Sequence, residues 1–232
     1  MLKNSICLVT FLVVGILVHA QHDSGLAIFK VQFVNDEDLH QNLYGLEPVL
    51  NSLSYNLRFE KNKSFYEAEE SLEIGNSKQM EAAKVIGGKG LYYYEKGKGL
   101  IIQREFLGDL FLIQPDDNSS IEWEITGERK KVGDFECLKA IGLKKDFNGN
   151  KSNVIAWFST EINAPYGPKD YYGLPGLILE VKDNGVKYFC TSVLFGEQNI
   201  SKPSKGIQIT KKALNEYALK RAREDFKIKY KP

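Results

Sequence analysis

Along most of this chain apolar and polar residues alternate in short runs broken by turns. Successive side chains of a strand point to opposite faces, so this pattern predicts half-buried strands. Gly25 to Val34 is the first run. Ser54 to Glu60 and Ser64 to Glu69 read as a hairpin with Lys61, Asn62 and Lys63 at its turn. Gly90 to Glu95 and Leu100 to Phe106 read as another, and Asp109 to Gln114 follows, ended by Pro115 to Asn118. From Ile121 to Thr126, Ile121, Trp123 and Ile125 share one face, and Glu122 and Glu124 the other. Asp134 to Leu143, Val154 to Thr160, Leu177 to Val181 and Val186 to Phe195 complete the series. Turns are expected at Asn148 to Asn150 and Asp183 to Gly185. Asp36 to Ser52, polar with scattered leucines, reads as a long excursion or a short helix.

The period changes at the end of the chain. Leu214, Tyr217, Ala218, Ala222 and Phe226 recur at helical spacing, and Thr210 is placed to cap the helix they form. The expected fold is mainly β. It is a single curved antiparallel sheet or half-barrel of about ten strands, with a C-terminal amphipathic helix packed on its concave face.

The first twenty residues change the picture of where the chain works. Lys3 precedes an apolar run from Ile6 to Val18, and Ala20 ends it with a small residue, so 1–20 reads as a signal peptide. The competing reading is a membrane anchor, for which the run is short. Removal of the signal takes the formal net charge from +1 to zero and leaves roughly 210 residues, enough for a single domain over 21–232. A neutral chain has no general attraction to nucleic acid. The Lys-rich C-terminus, Lys227, Lys229 and Lys231, is read as solvated. Cleavage leaves two of three cysteines, Cys137 and Cys190. They are either a disulfide, closing a loop of about 54 residues, or two buried thiols.

Pro165 to Val181 is dense in Pro, Gly and Tyr, residues that limit the backbone to few paths or present large amphipathic rings. Within it, Gly173, Leu174, Pro175, Gly176, Leu177 and Ile178 spell the motif that names the GLPGLI family of exported Bacteroidetes proteins, which this chain resembles. Gly133 to Ala140, Ala156 to Phe158, Glu161, Ile162, Gly167, Pro168, Tyr171 and Asp183 extend the resemblance, in order, across about residues 121 to 185. Asn163 stands where the family usually has Pro, and Asn150 where it commonly has Arg. The resemblance implies export and an accessory place in the envelope, often beside outer-membrane transporters. It carries no assigned activity, and no cofactor and no metal are expected.

Candidate chemistry is sparse. His22 and His40 are the histidines beyond the signal, and neither lies near the motif. Gly-x-Ser-x-Gly and His-Glu-x-x-His patterns are absent, and Gly87 to Gly90 lacks the spacing of a phosphate loop. Glu161, Asp170, Glu180 and Asp183 surround the Pro/Gly loop, and a carboxylate hydrolase would need two of them in one cleft with one raised pKa. The best candidate site is the loop from Glu161 to Gly176, with Tyr166, Tyr171, Tyr172 and the nearby Trp157 as ligand or partner contacts. Set against it is a structural role, with Pro175 and Gly176 in a type II turn and the loop guarding a sheet edge.

The expected function is a non-enzymatic periplasmic or envelope-associated module that holds an apolar small molecule, lipid or peptide. A module that docks on an outer-membrane transporter through an exposed tyrosine patch is the alternative, and a carboxylate hydrolase the third reading.

Overall fold

The computed structural model describes residues 22–34, 45–69, 77–115, 121–145 and 151–229. The signal at 1–20, His40 and the turns expected at 116–118 and 148–150 lie outside the described residues.

Twelve strands form one sheet. They are β1 (Gly25–Phe33), β2 (Tyr55–Glu60), β3 (Lys63–Ala68), β4 (Leu91–Glu95), β5 (Gly99–Phe106), β6 (Asp109–Gln114), β7 (Glu122–Val132), β8 (Phe135–Lys145), β9 (Lys151–Ser159), β10 (Leu177–Asp183), β11 (Val186–Phe195) and β12 (Ile207–Thr210). Three helices, α1 (Glu47–Ser52), α2 (Ser77–Gly87) and α3 (Lys211–Lys229), accompany them. The strand order is β12-β6-β5-β4-β3-β2-β1-β11-β10-β9-β8-β7, antiparallel except where β12 runs parallel to β6. The sheet is open, with β12 and β7 at its edges. β7 carries mostly exposed Glu, Arg and Lys, which discourages a further strand from pairing there.

Alternation in sequence becomes alternation in burial. In β1 every second residue is buried, and Tyr55, Leu57 and Phe59 of β2 continue the same inner layer. Val154, Ala156 and Phe158 of β9 face them. β10 is buried on both faces from Leu177 to Val181, with a register shift between Ile178 and Glu180.

The sheet is strongly curled. β4 and β7 lie eight strand steps apart, which would separate them by roughly 38 Å in a flat sheet. Yet both touch Tyr172: the Tyr94 ring of β4 lies 4.5 Å from the Tyr172 ring, and Trp123 Nε1 of β7 donates to the Tyr172 carbonyl at 2.9 Å. The half-barrel reading is thereby met.

What fills the concave side differs from the expectation. The Pro/Gly loop does not guard an edge but lies inside the curl, its Tyr166 hydroxyl reaching the Lys61 carbonyl at 3.2 Å. α1 and α2 cover a further part of it, through Val49, Leu50, Met80 and Ala83. α2 was not expected from the sequence, because its eleven residues bury few side chains. Gly87 at its end lies so close to the Tyr55 ring that any Cβ would collide with it. α3 packs at the β12–β6 end of the sheet rather than across its middle. Leu214 is buried against Phe111 and Ile113, while Ala222 is exposed. Thr210 caps it as expected, its Oγ1 accepting from Ala213 N at 3.1 Å.

Candidate functional site

The motif loop satisfies itself. Ile178 N donates to Tyr166 O at 2.8 Å, Gly173 N to Pro165 O at 3.0 Å, and Leu177 N to Ile162 O at 3.2 Å. Gly176 N donates to Leu174 O at 2.8 Å, a three-residue turn centred on Pro175. The expected type II turn is therefore not formed. Such a turn needs positive φ at Gly176, and it is Gly173 that has it, at 99°. Gly176 is required for another reason: a Cβ there would run into the Ser159 carbonyl.

Tyr166 and Tyr171 are each 1% exposed, so the exposed tyrosine patch is not present. Burial pushes both hydroxyls up and keeps them protonated as donors. Tyr171 donates to Asp183 Oδ2 at 2.6 Å, and Lys144 Nζ sits 4.2 Å over its ring. Tyr172 is half-buried, held between Trp123 and Tyr94. Trp157 lies on the opposite, convex face, beneath Lys130 Nζ at 4.4 Å. Tyr166 and Tyr172 are thus brought together, paired by a β-bridge and both packed on the Tyr94 ring, while Trp157 stands apart.

Of the four acids, only Asp170 and Asp183 are brought together, around Lys144. Glu180 is buried on the convex face, where Lys130 and Lys187 reach it at 2.8 and 3.2 Å. Burial pushes its carboxyl up, but the two ammonium groups outweigh that and hold it below the ordinary range. Asp170 and Asp183 share Lys144, at 3.2 and 3.5 Å. Burial likewise works against the Asp170 charge, and Lys144 and Lys169 more than offset it, so its pKa is lowered. Glu161 Oε1 accepts from Glu136 N at 3.1 Å. The raised carboxyl that a general acid needs is found at neither Glu180 nor Asp170.

The two thiols are free. Cys137 is on β8 and Cys190 on β11, with β9 and β10 between. They therefore sit on non-adjacent strands, and no disulfide joins them. Burial pushes each thiol up to about 12, which keeps both as inert thiols.

The interior is not completely filled. A cavity of about 230 Å³ remains between the inner faces of β4, β5 and β6, the Lys169–Tyr172 turn and the start of α3. Its apolar wall includes Leu100, Ile102, Ile113 and Leu214. Arg104, Lys169 and Lys211 also line it. Lys169 adopts a φ of +53° and donates to Ile86 O, near the end of α2, at 3.1 Å and to Tyr188 Oη at 3.0 Å. A cation at a helix C-terminus is favoured by the helix dipole, so Lys169 also clamps the loop to α2. Arg104 is the residue that sequence reasoning missed. Leu100, Ile102 and Arg104 share one face of β5, so a charged side chain occupies the parity of the apolar wall. That break in alternation was the available signal.

Residues 144–180 match a family model, Porph_ging, described as a protein of unknown function. The matched stretch contains the Gly173–Ile178 motif. No curated protein matches the sequence. Two crystal structures of PNGF-II share the fold. The P21 form superposes with a TM-score of 0.54 at 14% identity, over 84% of this chain and 32% of that one. The C2 form gives 0.52 at 14%, over 85% and 32%. The chain therefore spans about a third of the length of the structures it resembles, and the likeness is one of fold. No helix among the described residues is long and apolar enough to cross a membrane.

Proposed function

We propose that this chain is an exported, non-enzymatic binding module of the cell envelope, and that its guest enters the cavity at the β4–β6 end of the curled sheet. One observation carries the reading: among the described residues a continuous core cluster packs the middle of the concave side, and at the β4–β6 end an apolar wall faces open space. Ligand pockets typically combine such a wall with a few convergent polar groups. The cavity is small by that measure, which favours a compact guest or the end of a longer one over an engulfed lipid. Export is supported by the expected signal and by the resemblance to exported envelope proteins. The fold occurs as one part of a longer chain in PNGF-II, which is consistent with a module rather than a self-sufficient enzyme.

Native mass spectrometry of the full chain, purified after export, tests the reading. A mass above that of the polypeptide, released on denaturation, is the expected result. Ile102→Trp, which fills the cavity, should abolish the extra mass while leaving the circular dichroism of the sheet unchanged. Protein that emerges bare, and whose melting temperature no apolar or amphiphilic compound raises, would sink the proposal.

A further inference from the structure

We infer that the cavity takes a guest with a single anionic oxygen head, a carboxylate or a phosphate, on a short apolar tail, and that Arg104 and Lys211 hold the head. The inference rests on the proposed binding role and adds the chemistry of the guest.

The charges around the cavity do not balance. Among the described residues, Arg104, Lys169 and Lys211 line it against a single carboxylate, Asp170, which pairs with Lys144 at 3.2 Å and also feels the charges of Lys169 and Lys211. Lys169 spends its hydrogen bonds on a carbonyl and a tyrosine hydroxyl, neither of which neutralises it. Among the described residues, neither Arg104 nor Lys211 has a hydrogen-bond or ion-pair partner. Arg104 Nε is moreover fully buried without an acceptor. Buried polar groups are almost always paired, and a guanidinium presents donors in a fork that matches two oxygens of one anion. Lys211 is exposed at the mouth and is also the first residue of α3, so the positive end of that helix dipole lies at the same place.

The apolar wall sets the second half of the requirement. A bare inorganic anion would leave Leu100, Ile102, Ile113 and Leu214 facing water. A neutral apolar guest would bring no counter-charge to the Arg104 and Lys211 side chains that line the cavity. An amphiphile answers both. The cavity, about 230 Å³, lies below the usual size of pockets that enclose drug-sized ligands, so the buried tail is short.

Calorimetric titration of the full-length exported chain with octanoate, octyl phosphate, 1-octanol, octylamine and inorganic phosphate tests the inference. The better of octanoate and octyl phosphate should bind at least about tenfold tighter than octanol, as expected for hydrogen bonds to a charged group. Which of the two is tighter identifies the head. Octylamine should give no binding. Arg104→Met and Lys211→Met should each weaken the anionic amphiphile about tenfold and leave octanol unchanged. Among the described residues the exposed Lys211 side chain makes no hydrogen bond or ion pair, so its variant remains informative even where the Arg104 variant folds poorly. Octanol binding as tightly as the anions overturns this inference and leaves the binding module standing. Inorganic phosphate binding as tightly as octyl phosphate also overturns it. If no amphiphile binds, the inference and the proposed function fall together.

Discussion

The Glu161–Gly176 loop and the β5–β6 wall lie on the same concave side of the sheet and have opposite characters. The loop is rich in unusual residues, and nearly everything in it is already spent. Tyr166 and Tyr171 are buried, their hydroxyls find Lys61 O and Asp183, and the backbone closes on itself through short turns. The β5–β6 wall is plain in sequence, yet it retains a cavity and a buried guanidinium nitrogen with no partner. Distinctive sequence here marks a difficult piece of folding. The proposed binding site lies instead where folding has left a side chain unpaired.

That contrast is open to attack by mutation, and the sharpest blow falls on the loop. Tyr171→Ala removes a buried ring and leaves Asp183 without its 2.6 Å donor, and we expect a loss of about 3–5 kcal/mol in urea unfolding. A change below about 1 kcal/mol would show that the loop is not structural. Gly176→Ala forces a methyl into the Ser159 carbonyl and should cost about 2–4 kcal/mol, read as a lowered melting temperature.

Next comes the convex face. Glu180→Gln should cost about 1–2 kcal/mol, less than a fully buried pair, because Lys130 and Lys187 both reach solvent. The Glu180 carboxyl is held below its ordinary range, so its stabilisation is fully present above about pH 4.3 and is lost as the pH falls through the folded value. Unfolding followed from pH 6 down to pH 2 should therefore show a shallower acid loss in Glu180→Gln than in the parent. Identical slopes would mean that the two lysines do not hold this carboxylate. Smallest of all is Arg104→Met, expected to leave stability within about 0.5 kcal/mol or to raise it, since it removes an unsatisfied donor. A loss as large as that of Tyr171→Ala would make Arg104 a structural residue and erase the distinction between the two regions.

Much of the fold was legible. β6 and β11 fall where alternation places them, and the Thr210 cap forms. β12 was not, because four residues are too short to show a period and its strand exists only by pairing with β6. The tyrosines were legible as important but not as buried. A ring that packs inside a curl and a ring that greets a partner are the same residue in sequence. Cys137 and Cys190 left two outcomes open for a similar reason, since strand order alone sets their distance.

The chain by itself determined what is local: which faces of the strands are apolar, where turns fall, where the last helix begins. Those features depend on neighbours within a few residues, so they can be read in line. Tertiary structure alone decided that β4 and β7 close on Tyr172, that the Pro/Gly loop becomes core, and that Arg104 meets no acceptor. Each of these depends on how far the sheet bends. That bend sums small twists over twelve strands, and no single segment encodes it.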